Sequence, residues 1–158
     1  MPSEDRRTVV ICIGNELVAD DAAGYEVYGR LVPLQLAARV RCCGVGGIDV
    51  LALLQGETDL IVVDAVQLGA APGTVHVIPW HLLPENGAEI SAHGLGLRET
   101  IEIGRILYPD QIPERVTLVG IEGRCFNRTR EYMSREVSQA IDVAVATVKE
   151  LVQGGAHG

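Results

Sequence analysis

The stretch Val9-Val10-Ile11-Cys12-Ile13-Gly14-Asn15-Glu16-Leu17-Val18-Ala19-Asp20-Asp21 decides the fold. A short apolar run dominated by β-branched residues reads as a buried strand. Gly14-Asn15 breaks it, since both residues tolerate a tight turn. Glu16 follows at once, and Asp20-Asp21 stand where a helix begins. In an open α/β sheet, ligands bind outside the carboxyl ends of the strands, which is where Glu16 falls.

Working outward, Asp20 can cap a helix to about Val32, with Ala23, Val27, Leu31 and Val32 on one face and Pro33 as its stop. Arg39 to Val45 reads as a second strand. Gly46-Gly47 turns into a short helix with Ile48, Leu51 and Leu54 inward and Gly56 as its stop. Leu60 to Val66 is a third strand, apolar on both faces until Asp64, the pattern of a parallel sheet covered on both sides. The Gly69–Gly73 loop leads to Thr74–Ile78. That connection is too short for a crossover helix, so the strand runs antiparallel and, on loop length alone, beside the third. Leu97, Ile101, Gly104 and Tyr108 share a helical face, and Arg115 to Ile121 is a fifth strand ending at Glu122-Gly123. Ser134 can cap a last helix with Val137, Ile141, Ala144, Val148 and Leu151 inward, and Gly154 to Gly158 is expected to fray. The alternation of strands and helices gives a three-layer α/β/α sandwich with a mixed sheet.

The 158 residues fit a single domain, with its globular part at about 8–152. The apolar fraction of 47% excludes a disordered chain. A net charge of −8 without a basic block argues against nucleic acid and anionic membrane as partners, though not against a basic peptide. No apolar run reaches the length of a membrane span, and the polar start through Thr8 is unlike a signal peptide. Cys12, Cys42, Cys43 and Cys125 lack CxxC spacing, which points to free thiols and a cytoplasmic location. A GxSxG elbow, a P-loop and a GxGxxG fingerprint are all missing.

The strand ends carry the candidate chemistry. Glu16, Asp64 and His93 can converge there, and two carboxylates with one imidazole make an open site for nickel, zinc or a similar ion. Plainer accounts stand beside this one. A solvated loop explains a lone Glu16, and a backbone hydrogen bond explains a lone His93. Asp64 is harder to dismiss, because a carboxylate ending an apolar strand is costly to bury unless paired or coordinated. His76 and His81 read as a strand surface and an irregular loop. Asp20 and Asp21 read as helix-start residues facing the dipole. Glu122 reads as a support for the site or a turn residue, and Arg98 as a counter-charge or a solvated helix face. Cys12 and Cys125 make poor nucleophiles, having no histidine at a suitable spacing.

Gly14-Asn15-Glu16-Leu17 with Asp20-Asp21, then Val63-Asp64-Ala65, Pro72-Gly73-Thr74-Val75, His93-Gly94 and Val119-Gly120-Ile121-Glu122 together resemble the hydrogenase maturation endopeptidases. The resemblance runs from about Val9 to Leu151. It implies a protease that removes the C-terminal extension of a nickel–iron hydrogenase large-subunit precursor after nickel insertion. The nickel would belong to the precursor, and Glu16, Asp64 and His93 would contact it. No organic cofactor is implied, and a monomer is expected. The implied fold is a five-stranded mixed sheet with the antiparallel strand at one edge and the fifth strand between it and the third. The chain departs from the family at Ala22, where glycine is usual, and at Cys42–Gly47, where many members carry an acidic motif. Two alternatives are a non-cleaving protein that checks for nickel and a zinc-dependent hydrolase on a related fold.

Overall fold

In the computed structural model, residues 7–14, 20–44, 48–83, 97–124 and 133–154 are described, together with the backbone alone at Asp21 and Ile48. Five strands make one sheet: β1 (Thr8–Ile13), β2 (Arg39–Cys43), β3 (Asp59–Val66), β4 (Val75–Pro79) and β5 (Arg115–Glu122). Four helices flank it: α1 (Ala23–Leu31), α2 (Ile48–Ala52), α3 (Leu97–Leu107) and α4 (Arg135–Gly154). The strand order is β2-β1-β3-β5-β4. The first four in that order are parallel, and β4 runs antiparallel to β5 at the edge.

This order corrects the expectation that the third and fourth strands are neighbours. The short connection after Val66 does reverse the chain, but β5 lies between the two strands it joins. The connection docks on the end of β5: Gly73 N–H donates to Glu122 O and Glu122 N–H to Thr74 O, both at 2.8 Å. Gly123 N–H also donates to Val66 O at 2.9 Å. Gly69 and Gly73 take φ of +86° and +89°, conformations that side-chain-bearing residues adopt only with strain.

Every residue of β3 is buried, as its unbroken apolar run requires. On one sheet face Val10, Cys12, Ile61, Val63, Val119 and Ile121 pack on α1 and α4 through Val27, Leu31, Val137 and Ile141. On the other, Ile11, Ile13, Leu60, Val62 and Leu118 pack on α2 and α3 through Val50, Leu51 and Ile101. The three layers are therefore present, each half of the core built by alternate residues of the same strands.

Helix boundaries differ in detail from those the sequence suggests. The chain enters α1 through a single 3-10 turn, Asp20–Ala22, and leaves it through another, Val32–Leu34, containing Pro33. The second helix ends at Ala52, ahead of Gly56, whose φ of +84° serves the following turn. Tyr108 lies just past α3 and is exposed. Ser134 does cap α4, its Oγ accepting Val137 N–H at 3.4 Å. Gly154 closes α4 rather than opening the tail, and 155–158 lie outside the described residues.

Candidate active site at the carboxyl edge of the sheet

β1, β2, β3 and β5 are parallel, so their carboxyl ends share one edge. Asp64 lies there, one position beyond the Cys12–Val63 pair and opposite Gly120 of β5. It is 4% exposed and alternates with Val62 and Val66, which fixes it on the face covered by α2 and α3. It keeps a polar or electrostatic contact within the protein. The same register level therefore runs from the end of β1, which leads into the Glu16 segment, to Asp64. Glu16 and His93 themselves lie outside the described residues, as do Cys125 and Gly46-Gly47. Among the described residues, no group of three His, Cys, Asp or Glu side chains is placed to hold a metal ion.

The flanks of the Glu16 segment are anchored on both sides. Gly14 N–H donates to Cys43 O at 3.1 Å. Asp20 is fully buried, and its carboxylate accepts Arg124 N–H and Ser134 N–H at 2.7 Å each and the Ser134 hydroxyl at 3.0 Å. This corrects the reading of Asp20 as a cap of the first helix. Ala22 occupies the cap position of α1 and makes no side-chain cap bond. Asp20 instead ties the start of that helix to both ends of the connection between β5 and α4.

The flanks of the His93 segment are joined by Arg98, whose Nη1 donates to Leu83 O at 2.8 Å and His81 O at 3.3 Å. Arg98 also bonds Glu102 one turn along α3 at 3.3 Å. It thus fastens α3 to the 3-10 turn after β4, a role beyond that of a solvated cation.

Glu122 and His76 carry more than their sequence reading allowed. Glu122 is 3% exposed. Its carboxylate accepts Leu68 N–H at 2.9 and 3.1 Å, and Oε1 lies 3.0 Å from His76 Nε2. His76 pairs with Gly120, the residue that Asp64 faces from the other side. In-register residues project to one face, so Asp64 and His76 flank a position without a side chain. The strand order conceals this in the sequence, because a loop-length argument places His76 beside the wrong strand.

Cys12 is fully buried, and burial, with a smaller contribution from Cys42, pushes its thiol far above the ordinary range. It stays protonated, which removes it as a nucleophile.

A family model for the hydrogenase maturation protease HycI matches residues 40–151, well over half of the chain. The chain belongs to the hydrogenase maturation protease family. The matched span contains Asp64 and His93 and begins after Glu16. Among curated relatives, the hydrogenase expression/formation protein HupD of Rhodobacter capsulatus is 30% identical over 158 residues, covering 96% of this chain and 74% of HupD. HoxM of Cupriavidus necator, described in the same words, is 26% identical over 150 residues, covering 92% and 73%. The hydrogenase maturating endopeptidase HybD from E. coli superimposes with a TM-score of 0.77 at 24% identity over 94% of this chain and 93% of that one, which establishes the shared fold. The activity class of this family is proteolytic, and the five-stranded mixed sheet with its antiparallel edge strand is the one the resemblance implied.

Proposed function

We propose that this protease removes the C-terminal extension of a nickel–iron hydrogenase large-subunit precursor, in the cytoplasm, once nickel is in place. Asp64 carries the reading: a buried carboxylate at the ligand-bearing edge, at the register level where β1 hands over to the Glu16 segment. Family membership supplies the reaction class.

In this reading Glu16, Asp64 and His93 contact the nickel that the precursor carries. The acids and the imidazole form a mixed oxygen–nitrogen donor set suited to a divalent transition metal. Without the metal the peptide is not held against the edge, so cleavage waits for metal insertion. Holding the scissile carbonyl beside a divalent ion also polarises it toward attack by water.

Asp64→Asn keeps the side-chain shape and removes the charge. We expect the folded variant, checked by circular dichroism, to lose processing of nickel-loaded precursor, measured as the shift of the large subunit on a denaturing gel. Normal processing by this variant would remove Asp64 from the site.

A further inference from the structure

Two cavities lie away from Asp64. One of about 420 Å³ lies at the opposite sheet edge, between Asp59, Arg115 and the end of α4, and one of about 280 Å³ lies between α2 and Tyr108. Among the described residues, neither is lined by a buried polar atom that lacks a hydrogen-bond partner. The His76–Glu122 pair does offer a directed group beside the site.

We propose that His76 is the proton acceptor of the hydrolysis and that Glu122 is its positioning residue. The proposal rests on the reading above, because it places the reaction at Asp64, and it assigns the base. The Glu122 carboxylate accepts Leu68 N–H at both oxygens, which orients it as the acceptor of the pair. We assign the 3.0 Å contact as His76 Nε2–H donating to Glu122 Oε1. With Nε2 turned to Glu122, Nδ1 is the ring nitrogen that makes no hydrogen bond among the described residues, and in the Nε2–H tautomer it carries the lone pair. A buried carboxylate that sets the tautomer of a base is the arrangement by which imidazoles act in hydrolysis.

The placement is suitable. The His76 side chain retains 19% of its exposure, against 4% for Glu122, so the base reaches solvent while its orienting acid does not. Asp64 and His76 stand on one face, two strand spacings apart, roughly 10 Å between Cα atoms. Val66 projects to the same face, and its Cγ atoms, 3.0 Å from where a Gly120 Cβ would lie, pack over that position. In this arrangement the scissile carbonyl would lie on the Asp64 side and the attacking water on the His76 side. In the step, Nδ1 takes a proton from water, and the water oxygen adds to the scissile carbonyl carbon. The C–N bond then breaks as the imidazolium returns the proton to the leaving nitrogen, giving a carboxylic acid and an amine.

Glu122 from β5 contacts His76, and Asp64 from β3 stands across Gly120 from it. Glu122→Gln supplies a readout that mere structural support would not move. Its carbonyl can keep Leu68 N–H while its NH₂ faces Nε2, which turns that nitrogen into an acceptor and puts the proton on Nδ1.

The test combines nitrogen-15 spectra of the histidine rings with single-turnover cleavage of nickel-loaded precursor. The proposal expects the Nε2–H tautomer at His76 in the wild type and the Nδ1–H tautomer in Glu122→Gln. It expects His76→Gln to lose about 100-fold in the cleavage step with precursor affinity retained, the usual weight of a general base. An Nδ1–H tautomer in the wild type, or wild-type cleavage by folded His76→Gln, would overturn it. Should the wild type cut nickel-free precursor equally well, the nickel reading fails while the ratio of wild type to His76→Gln still decides this one. Should the wild type cut neither form, both fall.

Discussion

Asp20 has no exposed surface and accepts two backbone amides and a hydroxyl from residues 104 and 114 positions away. Removing it takes this acceptor from the Arg124 and Ser134 amides and from the Ser134 hydroxyl, three part-buried hydrogen bonds at roughly 0.5–1.5 kcal/mol each. Asp20→Ala is therefore expected to lower unfolding stability by a few kcal/mol, read from urea melts, and a change under about 0.5 kcal/mol, typical of a surface substitution, would contradict the clamp. An aspartate at a helix start looks the same in sequence whether it caps that helix or reaches across the molecule, so this role was not legible there. Asp64 was legible because a charge ending an apolar strand breaks a local pattern. The Glu122–His76 contact was not, since two ordinary polar residues on separate strands acquire meaning only through pairing. The described residues place Asp64 alone of the three candidate site residues, with Glu16 and His93 outside them.

Two glycines in α1 separate packing from propensity. A Cβ on Gly24 would lie 1.9 Å from the Ile13 carbonyl oxygen, so the start of α1 sits directly on the end of β1. Gly29, in the same helix, has nothing within 4 Å. Gly24→Ala must push the helix from the strand and should cost about 3 kcal/mol or more, at the upper end of overpacking penalties. Gly29→Ala should gain up to about 1 kcal/mol from helix propensity. Thermal melts of the two variants check both signs, and equal effects would refute the close approach. Most strands and helices were readable from apolar runs and spacing, because the buried faces impose those periods. Strand order was not, since the bonds that dock Gly73 and Thr74 on Glu122 arise between segments about fifty residues apart. The resemblance supplied the order that loop length misassigned.

For the molecule as a whole, acid sensitivity follows from Glu57. Burial pushes its carboxyl up, but this is outweighed by the Gln55 amide at 2.7 Å, by Arg39 at 2.5 and 2.8 Å and by its own backbone amide, so the folded value lies below the ordinary one. A depressed folded pKa contributes stability that is present above the unfolded value of about 4.3 and lost as pH falls through the lower folded value. Stability should therefore decline with acid below that point, and Glu57→Gln should flatten the decline; an unchanged slope of urea midpoint against pH would contradict this. Among the described residues no helix is long and apolar enough to cross a membrane. The claim on which the whole account turns is that the protease waits for the metal in its substrate. Its most direct measurement is the intact mass of a hydrogenase large-subunit precursor after incubation with this protein, with and without nickel loaded. The account predicts loss of a C-terminal peptide from the nickel-loaded form alone. Equal trimming of both forms, or a stable complex with uncut nickel-loaded precursor, would contradict it.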